Sequence, residues 1–325
     1  GLSEYFQWHD TKSWYLPIDK DLSGNNPDNN PPATPGRNVS ATSQSILHIT
    51  TAVTYQIFGG NLTLYDFTIL FPAVIGSLTV IVIFALVRLF AGTTAGLFAS
   101  LFFAVSLPIL LRGSLGWFKS EPLGIFYGIL GLYLFLSGIQ SQNKKIIFSK
   151  IVLGGFVMTF GMGSWGGIQF FIIPLGLFIL VLPFVRKDHK FLLYSIPLFV
   201  GTFLLTSLMF ERPGPGFVFG LGGILLIVPT IFLVVCIFIQ KISNKNKIRN
   251  GLVFLLVIIL IGSFLVIINE ESNFLPIPSF RYLNAVNPFL TTSIALVDSV
   301  AEHATTNIQQ SFFFHSVLLI FASIG

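Results

Sequence analysis

The residues able to do chemistry in this 325-residue sequence are few, and they gather in three short stretches. In the first, Leu111 to Pro122, Arg112 is followed by Lys119 and Glu121. A guanidinium fork suits phosphate or carboxylate oxygens, and a carboxylate offers the hard oxygens that Mg2+ or Mn2+ prefer. The bland reading is that all three are boundary residues whose long stems carry their charges to water. The second stretch is Ser299-Val300-Ala301-Glu302-His303, where Glu302 beside His303 could ligate a metal or could be ordinary loop polarity. The third is Trp165-Gly166-Gly167, which also reads as a tight turn with an interfacial Trp. Asn38-Val39-Ser40 and Asn61-Leu62-Thr63 match the N-x-S/T glycosylation pattern. There is no P-loop, dinucleotide glycine pattern, His/Cys zinc spacing or G-x-S-x-G elbow.

The elements that must position these residues cross a membrane. Mean hydropathy is +0.83. Hydrophobic residues make up 53% of the chain and charged residues 10%, against about a quarter charged in soluble domains. That excludes a cytosolic globule, a nucleic-acid-binding domain and a disordered chain. Cys236 lies in an apolar run with no second cysteine to pair with. A spanning helix needs about 20 apolar residues. Such runs are expected at 67–86, 93–111, 122–139, 151–162, 168–185, 191–210, 217–240 and 252–269, with a last one, 311–324, cut short. The run at 151–162 is short and Gly-rich. Residues 43–58 read as an amphipathic helix near the membrane surface, and 24–37 as a Pro-rich solvated loop. Mid-span charges of the kind used by ion-coupled carriers are nearly absent.

Charge places the connections. One alternating set of loops carries Arg88, Lys144, Lys145, Lys150, Arg186, Lys187, Lys190, Lys241, Lys245, Lys247 and Arg249, with Asp188 as its one acid. The other set carries the remaining seven basic residues and 12 of the 13 acids, so a net charge of +5 conceals two sides of opposite sign. Basic loops face the cytoplasm, which puts Arg112, Glu121, Trp165 and Glu302 together on the external side. The expected organisation is an all-α polytopic membrane protein: an external loop over 1–63, a transmembrane bundle of about eight spans over 64–268, an external loop over 269–310 and a truncated span over 311–325. The chain starts at Gly1 and stops inside an apolar run, so a longer protein is expected, with a first helix before it and an external C-terminal domain after it.

The order of short motifs is specific. Phe6-Gln7-Trp8-His9-Asp10 leads into Trp14-Tyr15; Arg112 stands seven residues before Lys119; Ser164-Trp165-Gly166-Gly167, Arg281-Tyr282 and Asn287-Pro288 follow; Ser299-Val300-Ala301-Glu302-His303 precedes Thr305-Thr306. This series resembles the catalytic subunit of oligosaccharyltransferase, the membrane enzyme that makes N-glycoproteins, over nearly the whole chain. The short loops and many Ile and Asn lean towards an archaeal member.

The resemblance implies a GT-C-type membrane domain. It implies transfer of an oligosaccharide from a dolichyl phosphate or pyrophosphate carrier to the Asn of an N-x-S/T sequon in an acceptor protein. It implies a Mg2+ or Mn2+ cofactor and an active site on the external face of the cell membrane, or the lumenal face of the ER membrane in a eukaryote. Carried over residue by residue, Arg112, Glu121 and Glu302 are catalytic, Arg112 faces the lipid-linked phosphate, and Glu121 and Glu302 ligate the metal. Lys119 departs from the family, which has an acid there, and the family's first catalytic Asp and its W-W-D motif have no counterpart in the chain. The alternatives are another polyprenyl-phosphate-sugar glycosyltransferase, a lipid or solute transporter, and an inactive paralogue.

Overall fold

The computed structural model describes residues 44–243 and 246–272. Its elements are α1 (Ser45–Phe58), α2 (Leu64–Val105), α3 (Leu107–Arg112), α4 (Ser120–Gln140), α5 (Lys144–Ser164), a 3-10 turn (Gly166–Ile168), α6 (Gln169–Val185), α7 (His189–Ser207), α8 (Gly214–Val218), α9 (Leu221–Ile242) and α10 (Lys247–Ser272). The described residues contain no strand. Seven of these helices are long and apolar enough to cross a membrane.

The first of the seven is two spans. A straight helix as long as α2, 42 residues, would reach about 63 Å, twice the roughly 30 Å hydrocarbon core. Inside it Gly92 has φ 84° and ψ 179°, a left-handed backbone that glycine adopts without a side-chain clash. The chain reverses there. A Cβ on Gly96 would lie 3.0 Å from the carbonyl oxygen of Phe84, a contact impossible between residues so far apart on one straight helix. Residues 64–91 and 93–105 are therefore the arms of a hairpin, and eight spans result, as the hydropathy predicts.

Other boundaries differ from the hydropathic ones for local reasons. The span expected at 151–162 is the full helix α5, starting at Lys144. Asn143 caps it by accepting from the Lys145 amide at 3.0 Å, so Lys144, Lys145 and Lys150 lie on the helix rather than in a loop. The second arm breaks at Ser106, whose backbone is extended, and the chain restarts as α3 with Pro108 in its first turn. The span expected at 217–240 divides into α8 and α9 at Gly220. Asp188 caps α7, its Oδ1 accepting from the Phe191 amide at 3.1 Å.

Close helix approach organises the centre. A Cβ on Gly131 would meet the Gly154 carbonyl at 3.1 Å, and one on Gly154 would meet the Gly131 carbonyl at 3.1 Å, so α4 and α5 touch backbone to backbone. Small residues at helix interfaces let membrane helices pack this way. The α5–α7 contact adds polar bonds, with the Thr159 hydroxyl donating to the Phe203 carbonyl at 3.0 Å. The main core joins α4, α5, α6, α7 and α9 around Phe135, Met158, Phe199 and Phe203. A smaller core of Leu47, Phe71, Ile75 and Leu123, with Phe118 and Tyr127 against it, lies where α1, the first arm and α4 meet.

Contacts collect the basic connections at one end. Arg186 Nη2 donates to the Ile139 carbonyl at 3.3 Å, joining the ends of α6 and α4. Gly251 at the start of α10 sits against Phe184 and Cys236. At the opposite end, Gly163 packs on Ile46 of α1, and the hydroxyls of Thr50 and Tyr127 lie 3.3 Å apart.

Candidate active site

The polar end of the bundle is built from the turn between α3 and α4. Pro108 lies in the first turn of α3, where its missing N–H costs no helical bond. The helix stops after Arg112, with the Gly113 amide donating to the Ile109 carbonyl at 2.7 Å. Gly116, at φ 79°, lets the turn fold back, and its amide donates to the Ile69 carbonyl on the first arm at 3.0 Å. Phe118 packs edge-on against Phe71 at 5.8 Å. The turn is thus pinned to the first arm on one side and runs into α4 on the other. Lys119, in extended backbone, is the residue before α4 begins at Ser120.

This framework brings Arg112, Lys119 and Glu121 together. Arg112 Nη1 donates to Glu121 Oε1 at 3.1 Å, with the carboxylate side chain 16% exposed and the guanidinium 37%. The second carboxylate oxygen, Oε2, is buried and has no hydrogen-bond partner among the described residues. Arg112 Cζ lies 5.3 Å from the centre of the Trp117 ring, and Lys119 Nζ lies 4.8 Å from the same ring. Both distances suit a cation–π contact. A shallow, open apolar cleft lies between the hairpin arms and α4, lined by Gly76, Thr79, Phe103, Ile109, Arg112, Gly113, Pro122 and Ile125.

The third stretch comes to the same end. Trp165 caps α5, and its Cβ lies so close to Gly124 of α4 that any side chain there would collide with it. Gly167 lies under the same indole. Glu302, His303 and Asn38 lie outside the described residues. Asn61 is exposed in the turn before α2. Its sequon partner Thr63 is the helix cap, accepting from the Asp66 amide at 3.1 Å and donating to Asp66 Oδ2 at 2.7 Å. Among the described residues no three His, Cys, Asp or Glu side chains cluster.

Trp117 is the residue that sequence reasoning passed over. It lies within the stretch from Leu111 to Pro122, and only the turn geometry places its ring against both cations. Its spacing, five residues after Arg112 and two before Lys119 across a glycine turn, was the available clue.

Comparison with known proteins gives this geometry a context. Residues 32–270 match the family described as oligosaccharyl transferase STT3, N-terminal. The chain is 24% identical over 335 residues to the dolichyl-diphosphooligosaccharide–protein glycosyltransferase subunit STT3B of Oryza sativa subsp. japonica, covering 99% of this chain and 43% of that protein. The STT3B subunit of Arabidopsis thaliana is 22% identical, with 100% of this chain and 42% of the relative covered. The chain therefore spans about two-fifths of the length of these curated relatives. Among solved structures, the fold resembles the archaeal oligosaccharyltransferase AglB of Archaeoglobus fulgidus, bound to an inhibitory peptide and a dolichol-phosphate. The TM-score is 0.62 at 16% identity, over 86% of this chain and 35% of that one. A crystal structure of the A. fulgidus enzyme with Zn and sulfate gives a TM-score of 0.56 at 18% identity, over 69% of this chain and 31% of that one. The same enzyme tethered to an acceptor peptide with an NVT sequon gives 0.59 at 17%, over 86% and 34%. With its family match running from before α1 into α10, and a helical membrane fold to go with it, this chain belongs to the STT3 family of oligosaccharyl transferases.

Proposed function

We propose that the chain is the membrane catalytic portion of an oligosaccharyltransferase. It would transfer an oligosaccharide from a dolichyl phosphate or pyrophosphate carrier to the Asn of an N-x-S/T sequon. The observation that carries this is the Arg112–Glu121 pair, held at 3.1 Å beside an apolar cleft at the polar end of a bundle of this family. A lipid-linked phosphate has an anionic head and a hydrocarbon tail, and a guanidinium at the mouth of an apolar cleft complements both. The structural relatives bound to dolichol-phosphate and to a sequon peptide agree with that substrate pair.

The residues divide the work by chemistry. An amide nitrogen is a weak nucleophile, so the acceptor carboxamide needs a carboxylate beside it, and the leaving phosphate needs positive charge. Arg112 supplies that charge and is itself held in place by Glu121 Oε1. Glu302 is the carboxylate assigned to the acceptor. The buried Oε2 of Glu121, without a hydrogen-bond partner among the described residues, fits a hard divalent cation, Mg2+ or Mn2+, with Glu302 as its second carboxylate ligand. Such an ion would contribute Lewis-acid stabilisation of phosphate oxygens. A structural relative was crystallised in complex with Zn and sulfate. The basic end of the bundle would face the cytoplasm and the Arg112 end the outside or the lumen.

The test is Glu302→Gln in the full-length protein. Transfer of glycan to a sequon peptide is expected to be abolished while membrane expression persists. Transfer at the parental rate would remove Glu302 from the mechanism.

A further inference from the structure

We infer that Asn61-Leu62-Thr63 is a latent acceptor site: a sequon that stands beside the protein's own chemistry and is kept from glycosylation by the turn that holds it. The sugar donor rests on the function proposed above; the protection rests on the turn between α1 and α2. Ring contacts join that turn to the candidate active site. Tyr55 packs edge-on against Phe67 at 5.4 Å, Phe67 lies 6.1 Å from Phe71, and Phe71 meets Phe118 of the α3–α4 turn at 5.8 Å. The sequon therefore sits at the end of the bundle that carries Arg112 and Glu121. Asn61, Leu62 and Thr63 are all exposed. An unguarded sequon so placed would be a substrate for other copies of the enzyme in the same membrane.

Exposure offers the nucleophile, and the turn withholds what an enzyme would recognise. Gly60, at φ 54°, folds the chain back. The Leu62 amide donates to the Gly59 carbonyl at 2.9 Å, and the Leu62 carbonyl accepts from the Tyr55 hydroxyl at 3.0 Å. The Thr63 hydroxyl is engaged in both directions, accepting from the Asp66 amide at 3.1 Å and donating to Asp66 Oδ2 at 2.7 Å. An enzyme that selects N-x-S/T must take hold of that hydroxyl and lay the peptide in a groove. Both acts require the turn to open, and the apparent affinity of a site falls by the fraction of time it is competent. Glycosylation would join the Asn61 amide nitrogen to the anomeric carbon of the donor sugar. The anomeric C–O bond would break, its electron pair would leave on the phosphate, and one amide proton would be released. The turn leaves the atoms of that step accessible at Asn61 and removes recognition instead. Asp66, a charged acceptor for the hydroxyl, is the main clasp, and Tyr55 is the second.

Transfer to the protein's own chain tests this. Full-length parental enzyme and 15N-labelled full-length target chains are reconstituted together in phosphatidylcholine liposomes. Lipid-linked oligosaccharide from the source cells is added. Loss of the unmodified 15N peptide around Asn61 is followed by mass spectrometry, which needs no knowledge of the glycan. A synthetic peptide of residues 57–67 and an unrelated peptide with an N-V-T sequon are parallel acceptors. Both peptides are expected to be glycosylated, and the parental target at least about tenfold more slowly than the 57–67 peptide. Tyr55→Phe and Asp66→Ala targets are each expected to react about threefold faster than the parental target. The double variant should react about tenfold faster, through the loss of two hydrogen bonds. Asp66→Asn, which keeps an acceptor for the hydroxyl, should stay at the parental rate. Because the catalyst is always parental, no variant alters the machinery that modifies it. A parental target consumed as fast as the 57–67 peptide overturns the proposal. So does a double variant no faster than the parent, which would assign the protection to the nearness of α2 rather than to the turn. Refusal of the 57–67 peptide alone overturns it as well, because the sequence itself would then be a poor acceptor. Refusal of the N-V-T peptide overturns the function proposed above, and this inference with it, so the two failures are told apart by that arm.

Discussion

Arg112 and Glu121 are coupled through one hydrogen bond and one shared, half-buried site, and their energetics should not add. Removing Arg112 leaves a largely buried carboxylate with neither oxygen hydrogen-bonded among the described residues. We expect Arg112→Ala to cost about 1–3 kcal/mol of stability, measured by thermal unfolding in nanodiscs. We expect Arg112→Ala/Glu121→Gln to be less destabilised than the sum of the single variants, with an interaction energy of about 0.5–3 kcal/mol. Additive losses would mean that the 3.1 Å pair does not hold the arginine in place. At this scale the sequence was legible in identity and not in arrangement. Arg112, Lys119 and Glu121 could be picked out because charges are rare at a membrane boundary. That both cations lie against Trp117 while Glu121 pairs with Arg112 depends on a turn whose course is set by Gly116 and by a bond to Ile69, neither of which hydropathy or charge reports.

Among the helices, the positions that matter are those where backbone meets backbone. A Cβ on Gly155 of α5 would lie 2.7 Å from the Phe199 carbonyl of α7, whereas one on Gly201 of α7 meets nothing within 4 Å. Both residues sit in the same pair of helices, so the two make a controlled comparison. Gly155→Ala is expected to destabilise the bundle by about 1–3 kcal/mol through overpacking. Gly201→Ala is expected to be neutral or stabilising by up to about 1 kcal/mol through helix propensity. Equal behaviour in a thermal unfolding series would show that α5 and α7 do not approach as closely as drawn. The number and order of spans were readable from hydropathy because the alternation of basic and acidic connections reinforced it. The ends were not, where side chains and hydropathy pull apart. Lys144 and Lys145 lower the average over the first turn of α5, yet Asn143 caps a helix that includes them. At Gly220 and Ser106 a glycine and a proline divide runs that are evenly apolar.

For the whole molecule the defining property is the charge pattern of the sequence, whose two alternating sets of loops differ in sign. The sidedness this implies can be read directly. Cysteines introduced singly at Ser114 and Lys187, both exposed, are expected to react with a membrane-impermeant maleimide from opposite sides of sealed cells. The Ser114 position should label from outside and the Lys187 position only after permeabilisation. Native Cys236 is 0% exposed and contributes little background. Labelling of both positions from one side would break the alternation of spans. The turn at Gly92 gives this architecture a counting rule. A hairpin leaves and regains the same side, so the pair of arms contributes nothing to the parity that orients α4 to α10. Those helices would keep their sidedness with the hairpin or without it. What the hairpin determines is address: by doubling back, it delivers Arg112 to the level at which α1 lies, and so decides where the chemistry is done rather than which way the protein faces.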